Sequence, residues 1–312
     1  MTDSGAVGFI IDFGFCVLAF DAAASMCIFN AADEDIVIEV IVSEFDGMLV
    51  FEFIVLIGDE TISSFNGGTI SIEVPYELDD IDITNAIVVY YRETSDDELI
   101  VIRGHYDIEK EAVVFTTNHF SQYLIGYNPV QYTDVTSGWY KDAIDYIAAR
   151  GYPVCVLGDM FEPERVLTRG EFTATLLRAY NITLDLSARD NFDDVDSDAV
   201  YAPYLATAKR LGIAKGIGDN LFAPELEITR EEMLALLYRT LVNIGELPDS
   251  IDNGRTLSDF VDADMVATWF VDELDALIQA GMVDGMGDNM LELKSLSTRA
   301  TMAQMIYNLH TR

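Results

Sequence analysis

The sequence predicts a multidomain fold, in which an antiparallel all-β, sandwich-like domain is followed by an all-α domain of three repeats. Two observations predict this fold class. Apolar residues alternate with a period of two from residue 35 to residue 127, whereas after Pro129 they recur at spacings of three and four. One short motif, Thr-Arg, also stands three times at the start of an apolar helical pattern in the C-terminal half. We therefore expect the fold class to change near residue 129.

The composition indicates a globular chain that avoids polyanionic partners. With 312 residues, of which 50% are hydrophobic, the chain is long enough for two domains with buried cores. Its net charge of -36 argues against nucleic acid or anionic membrane as a partner, because both bind clustered Lys and Arg. Since no uninterrupted apolar run reaches about 18 residues, we expect no membrane span.

Residues 1–34 are the least defined part of the sequence, and we expect either a first strand pair or a poorly ordered end. The apolar stretch 7–24 loosely resembles a signal peptide, but Asp3, Asp12 and the absence of Lys and Arg argue against one. Export would then use a signal that lies elsewhere, or the chain is a piece of a longer precursor.

Residues 35–128 form the predicted antiparallel β domain. Gly-Asp, Asn-Gly-Gly and acidic clusters interrupt the alternating pattern and mark its turns. The predicted strands are 36–42, 48–57, 69–74, 86–91, 99–103, 112–116 and 122–126. About seven short strands indicate a sandwich, with an immunoglobulin-like arrangement as one option.

Three repeats are predicted at 129–188, 189–250 and 251–312. Two sets of landmarks share the same spacings, 61 and then 69 residues: Arg169, Arg230 and Arg299, and Gly151, Gly212 and Gly281. Each repeat begins with an aromatic or apolar residue two positions before an Asp. A first helix, a Gly stop, a loop and the Thr-Arg helix follow.

The Thr-Arg motif predicts candidate anion sites at Arg169, Arg230 and Arg299. Each Thr is a good N-cap, and in the first two copies a Glu three residues later completes a capping box. An unpaired cation in the first turn costs about 0.3 to 1 kcal/mol, so stability alone would not select the Arg. Beside free N–H donors, however, it is a good receptor for a carboxylate or phosphate. The alternative is that each Arg pairs with a neighbouring Asp or Glu.

The loops before the Thr-Arg helices differ between the repeats. Gly216 and Gly218 in the second repeat, and Gly285 and Gly287 in the third, would let the backbone approach a ligand closely, although turn geometry explains them equally well. The first repeat has Cys155-Val156-Leu157 instead. We therefore expect Arg230 and Arg299, which follow Gly-rich loops, to be better receptors than Arg169, which follows a bulkier one.

These motifs resemble the S-layer homology (SLH) family, the cell-wall anchoring modules of bacterial surface proteins, over roughly residues 129–312. The family's aromatic-x-Asp-Val with a following Trp is similar to Tyr132-Thr133-Asp134-Val135 with Trp139, to Phe192-Asp193-Asp194-Val195 with Val200, and to Leu257-Ser258-Asp259-Phe260 with Trp269. Its Phe-x-Pro and Ile-Thr-Arg-Ala-Glu are matched in the first two repeats and more weakly in the third. Residues 114–123 also resemble the segment that often precedes such repeats.

The resemblance implies a pseudo-threefold assembly around a central three-helix bundle. Grooves between adjacent repeats would hold a secondary cell-wall polysaccharide that ends in a pyruvate ketal, and surface-layer neighbours are possible further partners at the cell surface or cell wall. The three Arg residues would bind the ketal carboxylate. Asp134, Asp194 and Asp259 would orient hydroxyls or brace the groove, and Trp139 and Trp269 would form its walls or pack on the following helix.

No motif predicts catalysis, a metal site or a cofactor. Residues 194–198 imitate the start of an EF-hand loop, but Ala199 and Leu205 stand where that loop needs Gly and Glu. The three His and three Cys residues have no metal-ligand spacing, and a Cys16–Cys27 disulfide stays open. We therefore expect a non-enzymatic wall anchor. The alternatives are a surface adhesin or carbohydrate-active ectodomain whose activity lies in the β domain, and an intracellular helical interaction module.

Overall fold

The computed structural model describes residues 8–29, 35–62, 64–65, 67–79, 83–94, 98–156, 158–187, 190–248 and 254–312. The chain divides into two compact units. The N-terminal unit comprises Met1–Val130, Ala148–Arg150 and His310–Arg312, and the C-terminal unit comprises Gln131–Ile147 and Gly151–Leu309. Both predicted repeat boundaries, at 188/189 and at 250/251, lie outside the described residues.

The N-terminal unit holds eleven strands within its described residues. They are β1 (Phe9–Asp12), β2 (Val17–Phe20), β3 (Ile36–Phe45), β4 (Met48–Ile57), β5 (Glu60–Ile62), β6 (Ile70–Pro75), β7 (Ile87–Arg92), β8 (Ile100–Ile102), β9 (Gly104–Asp107), β10 (Ala112–Thr117) and β11 (Gln122–Tyr127). Each of the seven predicted strands overlaps one of them. The pattern missed β1, β2, β5 and β9 because runs of three or four residues are too short for an alternation to be recognised.

Two antiparallel sheets build this unit. One has the strand order β1-β2-β6-β10-β9, and the other has β3-β4-β11-β7-β8 with β5 added to β4. Apolar side chains of both sheets form one core, which includes Leu18 and Ile72 from the first sheet and Val55 and Tyr123 from the second. Because alternate residues of a strand point to one face, the period of two in the sequence is the direct cause of this core.

The first described strand of the chain, β1, begins at Phe9. β1 and β2 form the strand pair that was one of the two alternatives, and helix α1 (Ala22–Phe29) follows them. Asp21 caps this helix, since its Oδ1 accepts the N–H of Ala24 at 2.7 Å. Gly68 packs against the same turn, where a Cβ atom would lie 2.1 Å from the nitrogen of Ala24. Residues 1–7 and 30–34 lie outside the described residues.

Six further helices follow: α2 (Lys141–Ala149), α3 (Arg169–Ala179), α4 (Ala202–Arg210), α5 (Arg230–Ile244), α6 (Val271–Gln279) and α7 (Arg299–His310). The three Thr-Arg helices are α3, α5 and α7, and they begin at the Arg residues as the caps predict. Gly151 and Gly281 adopt positive φ angles after α2 and α6, as helix stops do. Short 3₁₀ turns lie at Leu257–Asp259, Ala263–Met265 and Gly287–Asn289.

The predicted fold class, an all-β domain followed by an all-α pseudo-threefold domain with a central three-helix bundle, is wrong. The N-terminal unit is not all-β, because α1 contributes Ala24 and Ile28 to its core. In the C-terminal unit, α3 packs mainly on α4 and α5 packs mainly on α6, so each of these two Thr-Arg helices packs mostly on the first helix of the next repeat. β-bridges, such as Val166 with Thr298, join the segments before the Thr-Arg helices. The periodicity showed the apolar faces but not what they pack against.

Candidate functional site

Three backbone segments join the starts of α3, α5 and α7 within the C-terminal unit. The N–H of Leu167 donates to the carbonyl of Ser297 at 2.9 Å, and the N–H of Ile228 donates to the carbonyl of Leu167 at 2.9 Å. The N–H of Ser297 then donates to the carbonyl of Ile228 at 3.0 Å, which closes a ring. Each of these residues directly precedes the Thr of the motif. The ring therefore brings the three Thr-Arg segments together.

The first backbone N–H groups of these helices are used inside the protein, so the expectation of free donors beside each Arg is wrong. In each helix, the first two N–H groups donate to carbonyls in the loop of the following repeat, with the first repeat following the third. The pairs, all at 2.9 to 3.0 Å, are Arg169–Leu226, Gly170–Pro224, Arg230–Ser295, Glu231–Leu293, Arg299–Arg165 and Ala300–Pro163. The third N–H donates to the capping Thr in each case. An anion would have to bind the Arg side chains instead.

Arg169 is buried, with 7% of its surface exposed, and is already paired. Its Nε donates to the carbonyl of Phe222 at 2.9 Å, and its Nη1 donates to Oε1 of Glu232 at 2.6 Å. The guanidinium also lies 4.6 Å from the centre of the Phe222 ring. Burial lowers the pKa of Arg169, and the Glu232 carboxylate opposes this shift. For Arg169, the alternative of pairing with a neighbouring carboxylate is therefore confirmed.

Arg299 is more deeply buried, at 2% exposure, but it lacks an ion pair in the described part of the chain. Its guanidinium lies 4.7 Å from the centre of the Phe161 ring, and its Nη1 donates to the carbonyl of Cys155 at 3.4 Å. Glu171, the third residue of α3, accepts a hydrogen bond from Arg165 at 2.6 Å instead. Burial, together with the charge of Arg165, lowers the pKa of Arg299.

Arg230 is partly exposed and is the least engaged of the three. Among the described residues, its guanidinium has no hydrogen bond or ion pair, and its buried Nε has no partner. Leu291 stands where the other two repeats carry a phenylalanine, and Thr301 stands at the third position of the neighbouring helix α7. Burial lowers the pKa of Arg230, and the charge of Glu292 opposes this shift.

Each Arg lies against the loop of the following repeat rather than against the loop that precedes it in sequence. Arg169 contacts the second repeat at Phe222, whereas Arg299 contacts the first repeat at Cys155. Our expectation that the bulky Cys155 loop weakens Arg169 is therefore wrong, because that loop lies beside Arg299. The cause is the backbone ring, which crosses the repeat boundaries. Leu157 of that loop lies outside the described residues.

The acidic residues of the motif brace the loops. Asp134 accepts the backbone N–H groups of Phe161 and Glu162 at 2.8 and 2.7 Å, and Asp194 accepts those of Phe222 and Ala223 at 2.9 and 2.7 Å. These bonds occupy both carboxylate oxygens. Of the two predicted roles, the geometry therefore supports the bracing of the loops by Asp134 and Asp194.

In the third repeat, the corresponding residue is Asp262 and not Asp259. Asp262 accepts the N–H groups of Leu291 and Glu292 at 2.7 and 2.9 Å. Asp259 is exposed and instead accepts the N–H of Thr256 at 2.7 Å. The sequence held a signal for this, because an aromatic residue two positions before the Asp occurs at Phe260-Val261-Asp262.

The first glycine of each Gly-rich loop is required by the turn. Gly216 and Gly285 have φ angles of 74° and 83°. A Cβ atom would lie 2.5 Å from the carbonyl oxygen of Leu221 in the first case and 2.7 Å from the Phe260 ring in the second. Cys155 adopts the same left-handed conformation, with φ of 62°. The loop conformation is thus shared, and turn geometry accounts for these glycines.

The second glycine of each loop faces open space. A Cβ atom built at Gly218 or at Gly287 would have no neighbour within 4 Å. Neither residue packs tightly within the fold. Their predicted role in letting a ligand approach the backbone stays a prediction.

Both tryptophans present an exposed face. Trp139 is 59% exposed and Trp269 is 53% exposed. The Trp269 ring lies 5.4 Å from the Phe270 ring and 5.6 Å from the Arg239 guanidinium, and the Trp139 ring lies 5.4 Å from the Tyr140 ring. Each indole therefore packs on the aromatic residue that follows it in sequence, and more than half of its surface stays accessible.

A cavity of about 510 Å³ lies beside Arg169, within the C-terminal unit. Among the predicted residues, Arg169, Gly216 and Trp269 line it, together with Glu232. Lys215 and Arg239 also line it, and the motif comparison missed both. The sequence signal that could have found them is the rarity of basic residues, since only 18 of the 312 residues are Lys or Arg, against 54 Asp and Glu. Grouped basic side chains in so acidic a chain give this cavity a local positive charge that the chain as a whole lacks.

The basic side chains of this cavity are partly neutralised. Arg239 makes two hydrogen bonds to Glu273, at 3.0 and 2.9 Å, and Lys215 lies 3.4 Å from the same carboxylate. The charge of Asp194 also acts on Arg169. The lining itself holds three basic side chains, one carboxylate and the Trp269 indole.

The remaining residue classes give no second site in the part of the chain that the structure describes. No group of three or more His, Cys, Asp or Glu side chains is arranged to hold a metal ion there. Cys16, Cys27 and Cys155 are free thiols. No helix among the described residues has both the length and the apolar character needed to cross a bilayer.

Comparison with known proteins identifies the repeats. Residues 131–173 and 191–234 match the S-layer homology domain. The chain is 30% identical over 254 residues to an amylopullulanase of Thermoanaerobacterium thermosulfurigenes, which is 80% of this chain and 13% of that protein. It is 32% identical over 171 residues to the S-layer protein sap of Bacillus anthracis, covering 54% of this chain and 20% of that protein. An exoglucanase of Acetivibrio thermocellus is 30% identical over 180 residues, covering 58% and 16%.

The chain thus spans a fifth or less of the length of these three relatives. Because residues 129–312 make up well under four fifths of the chain, the alignment with the amylopullulanase also reaches into the N-terminal unit. The domain match covers the first two repeats, whose Phe-x-Pro and Thr-Arg segments form the braced loops described above. Two segments of the chain thus match the S-layer homology domain, and this match, together with the similarity to an S-layer protein, indicates a location at the cell surface or in the cell wall.

Proposed function

We propose that this chain anchors a cell-surface protein non-covalently to a pyruvylated secondary cell-wall polysaccharide. The observation that carries the proposal is the cavity of about 510 Å³, where Arg169, Lys215 and Arg239 meet the exposed face of Trp269. A pyruvate ketal adds one carboxylate to a sugar ring. The guanidinium groups would bind that carboxylate, and the indole would stack on the ring.

The charge distribution supports local rather than general attraction to the polymer. The net charge of -36 repels an anionic glycan at long range. Binding therefore depends on the few grouped cations, and it should be selective for a ligand that brings a carboxylate close to them. This explains how an acidic protein could bind an acidic wall polymer.

We infer that residues 251–312 form a third, divergent repeat, following those at 129–188 and 189–250, with residues 35–128 as a separate β domain. In support, Asp262 braces the Leu291 loop as Asp134 and Asp194 brace theirs. Thr298 also caps α7 through the N–H of Thr301. Loss of the Pro and of the capping Glu accounts for the absence of a family match in this segment.

The amylopullulanase and the exoglucanase among the relatives favour a tethering role for the matched segment, because it is a small part of each protein. The alternative, a β domain that itself binds or cleaves carbohydrate, stays a prediction. A glycan array and a hydrolysis assay with the full chain, in which the three Arg residues are changed to Ala, would test it. Glycan binding or cleavage that survives these changes would favour the β domain.

The direct test of anchoring is co-sedimentation with purified cell walls. The wild-type chain should sediment with intact walls and stay in solution with walls stripped of their ketals. Arg169→Ala, Arg230→Ala and Arg299→Ala, made singly and together, should reduce binding, and the triple variant should lose most of it. Circular dichroism controls for folding, and undiminished binding by a folded triple variant would contradict the proposal.

A further inference from the structure

For each of the three arginines, the neighbouring helix is the Thr-Arg helix of the following repeat. The arginines differ in whether the third residue of that helix gives them a carboxylate to pair with. The third residue of α5 is Glu232, and its Oε1 accepts the hydrogen bond from Nη1 of Arg169 at 2.6 Å. This ion pair places a carboxylate of the protein itself on the guanidinium that would bind the ligand's carboxylate. A ligand that reaches Arg169 must displace Glu232 or share the arginine with it.

The groove of Arg230 has no such internal carboxylate, because the third residue of α7 is Thr301. The Thr301 hydroxyl donates to the carbonyl of Thr298 at 2.8 Å. Among the described side chains, none gives the Arg230 guanidinium a hydrogen bond or an ion pair within 4.0 Å, and its Nε is buried without a partner. Arg230 is partly exposed, but its buried Nε is desolvated without a hydrogen bond, and an anion supplied from outside would satisfy it.

Arg299 is intermediate between Arg169 and Arg230, because a carboxylate is present nearby but is engaged elsewhere. The third residue of α3 is Glu171, but its Oε1 accepts a hydrogen bond from Nη2 of Arg165 at 2.6 Å. The positions that correspond to Arg165 in the other two repeats hold Leu226 and Ser295. Neither residue is charged, so neither can form an ion pair with the third residue of its helix. In the second repeat, Glu232 is accordingly left to pair with Arg169.

Thr301 also gives up a stabilising contact. In α3 and α5, the third residue is a Glu whose carboxylate accepts the N–H of the capping Thr, at 3.2 Å from Glu171 to Thr168 and at 2.9 Å from Glu232 to Thr229. A threonine at this position leaves the capping box half formed. Thr301 therefore leaves one of the two capping-box hydrogen bonds unmade and leaves Arg230 without an internal carboxylate, and such a loss of stability is typical of a binding position.

We propose that the residue at this position gates each arginine: Glu232 competes with an anionic ligand for Arg169, whereas Thr301 leaves Arg230 open to it. The inference rests on the proposed function, because it concerns the same carboxylated sugar. It adds a rule for affinity. The third residue of each Thr-Arg helix determines how strongly the arginine of the preceding repeat binds the ligand.

The test uses two pairs of variants in the full chain and isothermal titration with a methyl glycoside that carries one pyruvate ketal. Thr301→Glu and Thr301→Gln should both complete the capping box and raise the melting temperature of the C-terminal unit. Only Thr301→Glu places a charge beside Arg230, so it should bind the glycoside at least about tenfold more weakly than Thr301→Gln.

The second pair is Glu232→Gln against the wild-type chain. Glutamine keeps an oxygen for Arg169 and for the N–H of Thr229 but removes the competing charge, so this variant should bind the ketal glycoside more tightly or at an additional site. The same glycoside without the ketal should show no difference within either pair.

The two proposals fail in different ways. If the wild-type chain does not bind the ketal glycoside or ketal-bearing walls, the proposed function fails. If the wild-type chain binds but Thr301→Glu equals Thr301→Gln, or Glu232→Gln equals the wild type, the gating inference is overturned. The melting temperatures separate both outcomes from loss of folding.

Discussion

Nη1 of Arg169 and Oε1 of Glu232 lie 2.6 Å apart and connect the first turns of α3 and α5. The Arg169 side chain is only 8% exposed, and that of Glu232 is 29% exposed. The pair therefore sits in a mainly desolvated environment, where an ion pair responds strongly to the loss of one partner. It is also part of the cavity lining, so stability and binding depend on the same two residues.

Removal of Arg169 should destabilise the C-terminal unit. Arg169→Ala leaves the Phe222 carbonyl without its donor and Glu232 without its cation, and the expected loss of unfolding free energy is about 3 kcal/mol. Urea unfolding followed by far-ultraviolet circular dichroism measures it. Arg210→Ala is the matched control, because Arg210 is half exposed and 3.3 Å from Asp185, and its loss should cost less than about 1 kcal/mol. Equal losses would contradict the buried pair.

Asp262 and Asp259 should differ in their contribution to stability. Asp262→Ala removes two hydrogen bonds between a carboxylate and backbone N–H groups of the loop that carries the buried Leu291, and should cost about 3 kcal/mol. Asp259→Ala affects an exposed 3₁₀ turn and should cost about 1 kcal/mol. Thermal unfolding of both variants shows which Asp contributes more to stability. A larger effect at Asp259 would restore Asp259 as the bracing residue of the third repeat, as the motif predicted.

Gly68 should not tolerate a side chain. A Cβ atom there would lie 2.1 Å from the nitrogen of Ala24, so Gly68→Ala must push α1 away from the sheet, at a cost of about 3 kcal/mol. Gly47→Ala is the control, because Gly47 has positive φ but nothing within 4 Å, and should cost only about 1 kcal/mol. Both variants can be compared by urea unfolding. Similar stabilities would show that the close approach of Gly68 is unimportant.

Trp269 should contribute to binding but little to folding. Because 53% of its surface is exposed, Trp269→Ala should leave the melting temperature nearly unchanged. In the Glu232→Gln background, which frees Arg169 of its competing carboxylate, it should weaken binding of the ketal glycoside by about tenfold. Fluorescence offers a second readout, since the chain has only two tryptophans. In Trp139→Phe, the remaining signal comes from Trp269 and should change when the glycoside binds. An unchanged affinity in Trp269→Ala would remove the indole from the site.

The histidines should make the N-terminal unit less stable as the pH falls. Burial lowers the pKa of His310 well below its ordinary value of 6.5, with further lowering from the charges of Arg103 and Arg150, and burial also lowers the pKa of His105 and His119. Near and below pH 6.5 the unfolded chain therefore binds more protons than the folded one, so stability is present above this pH and is lost as the pH falls.

The measurement is the melting temperature between about pH 7.5 and about pH 5.5. The carboxylates of this acidic chain also titrate towards the lower end of that range, so the comparison is with His310→Gln, which cannot take up the proton. The variant should lose less stability than the wild type over the same interval. Parallel pH profiles would contradict the role of His310.

Features encoded within a few neighbouring residues were predictable. The Thr caps, the starts of α3, α5 and α7 at the Arg residues, and seven of the strands follow from local hydrogen bonding and from apolar periodicity. The short strands β5 and β9 were not predicted, and β1 and β2 were only one of two alternatives, because three or four residues form a strand only when a neighbouring strand is present to pair with them.

The site shows the same division. The sequence by itself determined that three capped arginines recur in register, that positive charge is scarce and grouped, and that S-layer homology motifs are present. Only the tertiary structure decided that each Arg meets the loop of the next repeat and that Glu232 pairs with Arg169. These contacts join residues from different repeats, and no spacing along the chain encodes them, because they are fixed by the backbone ring that links the helix starts in space.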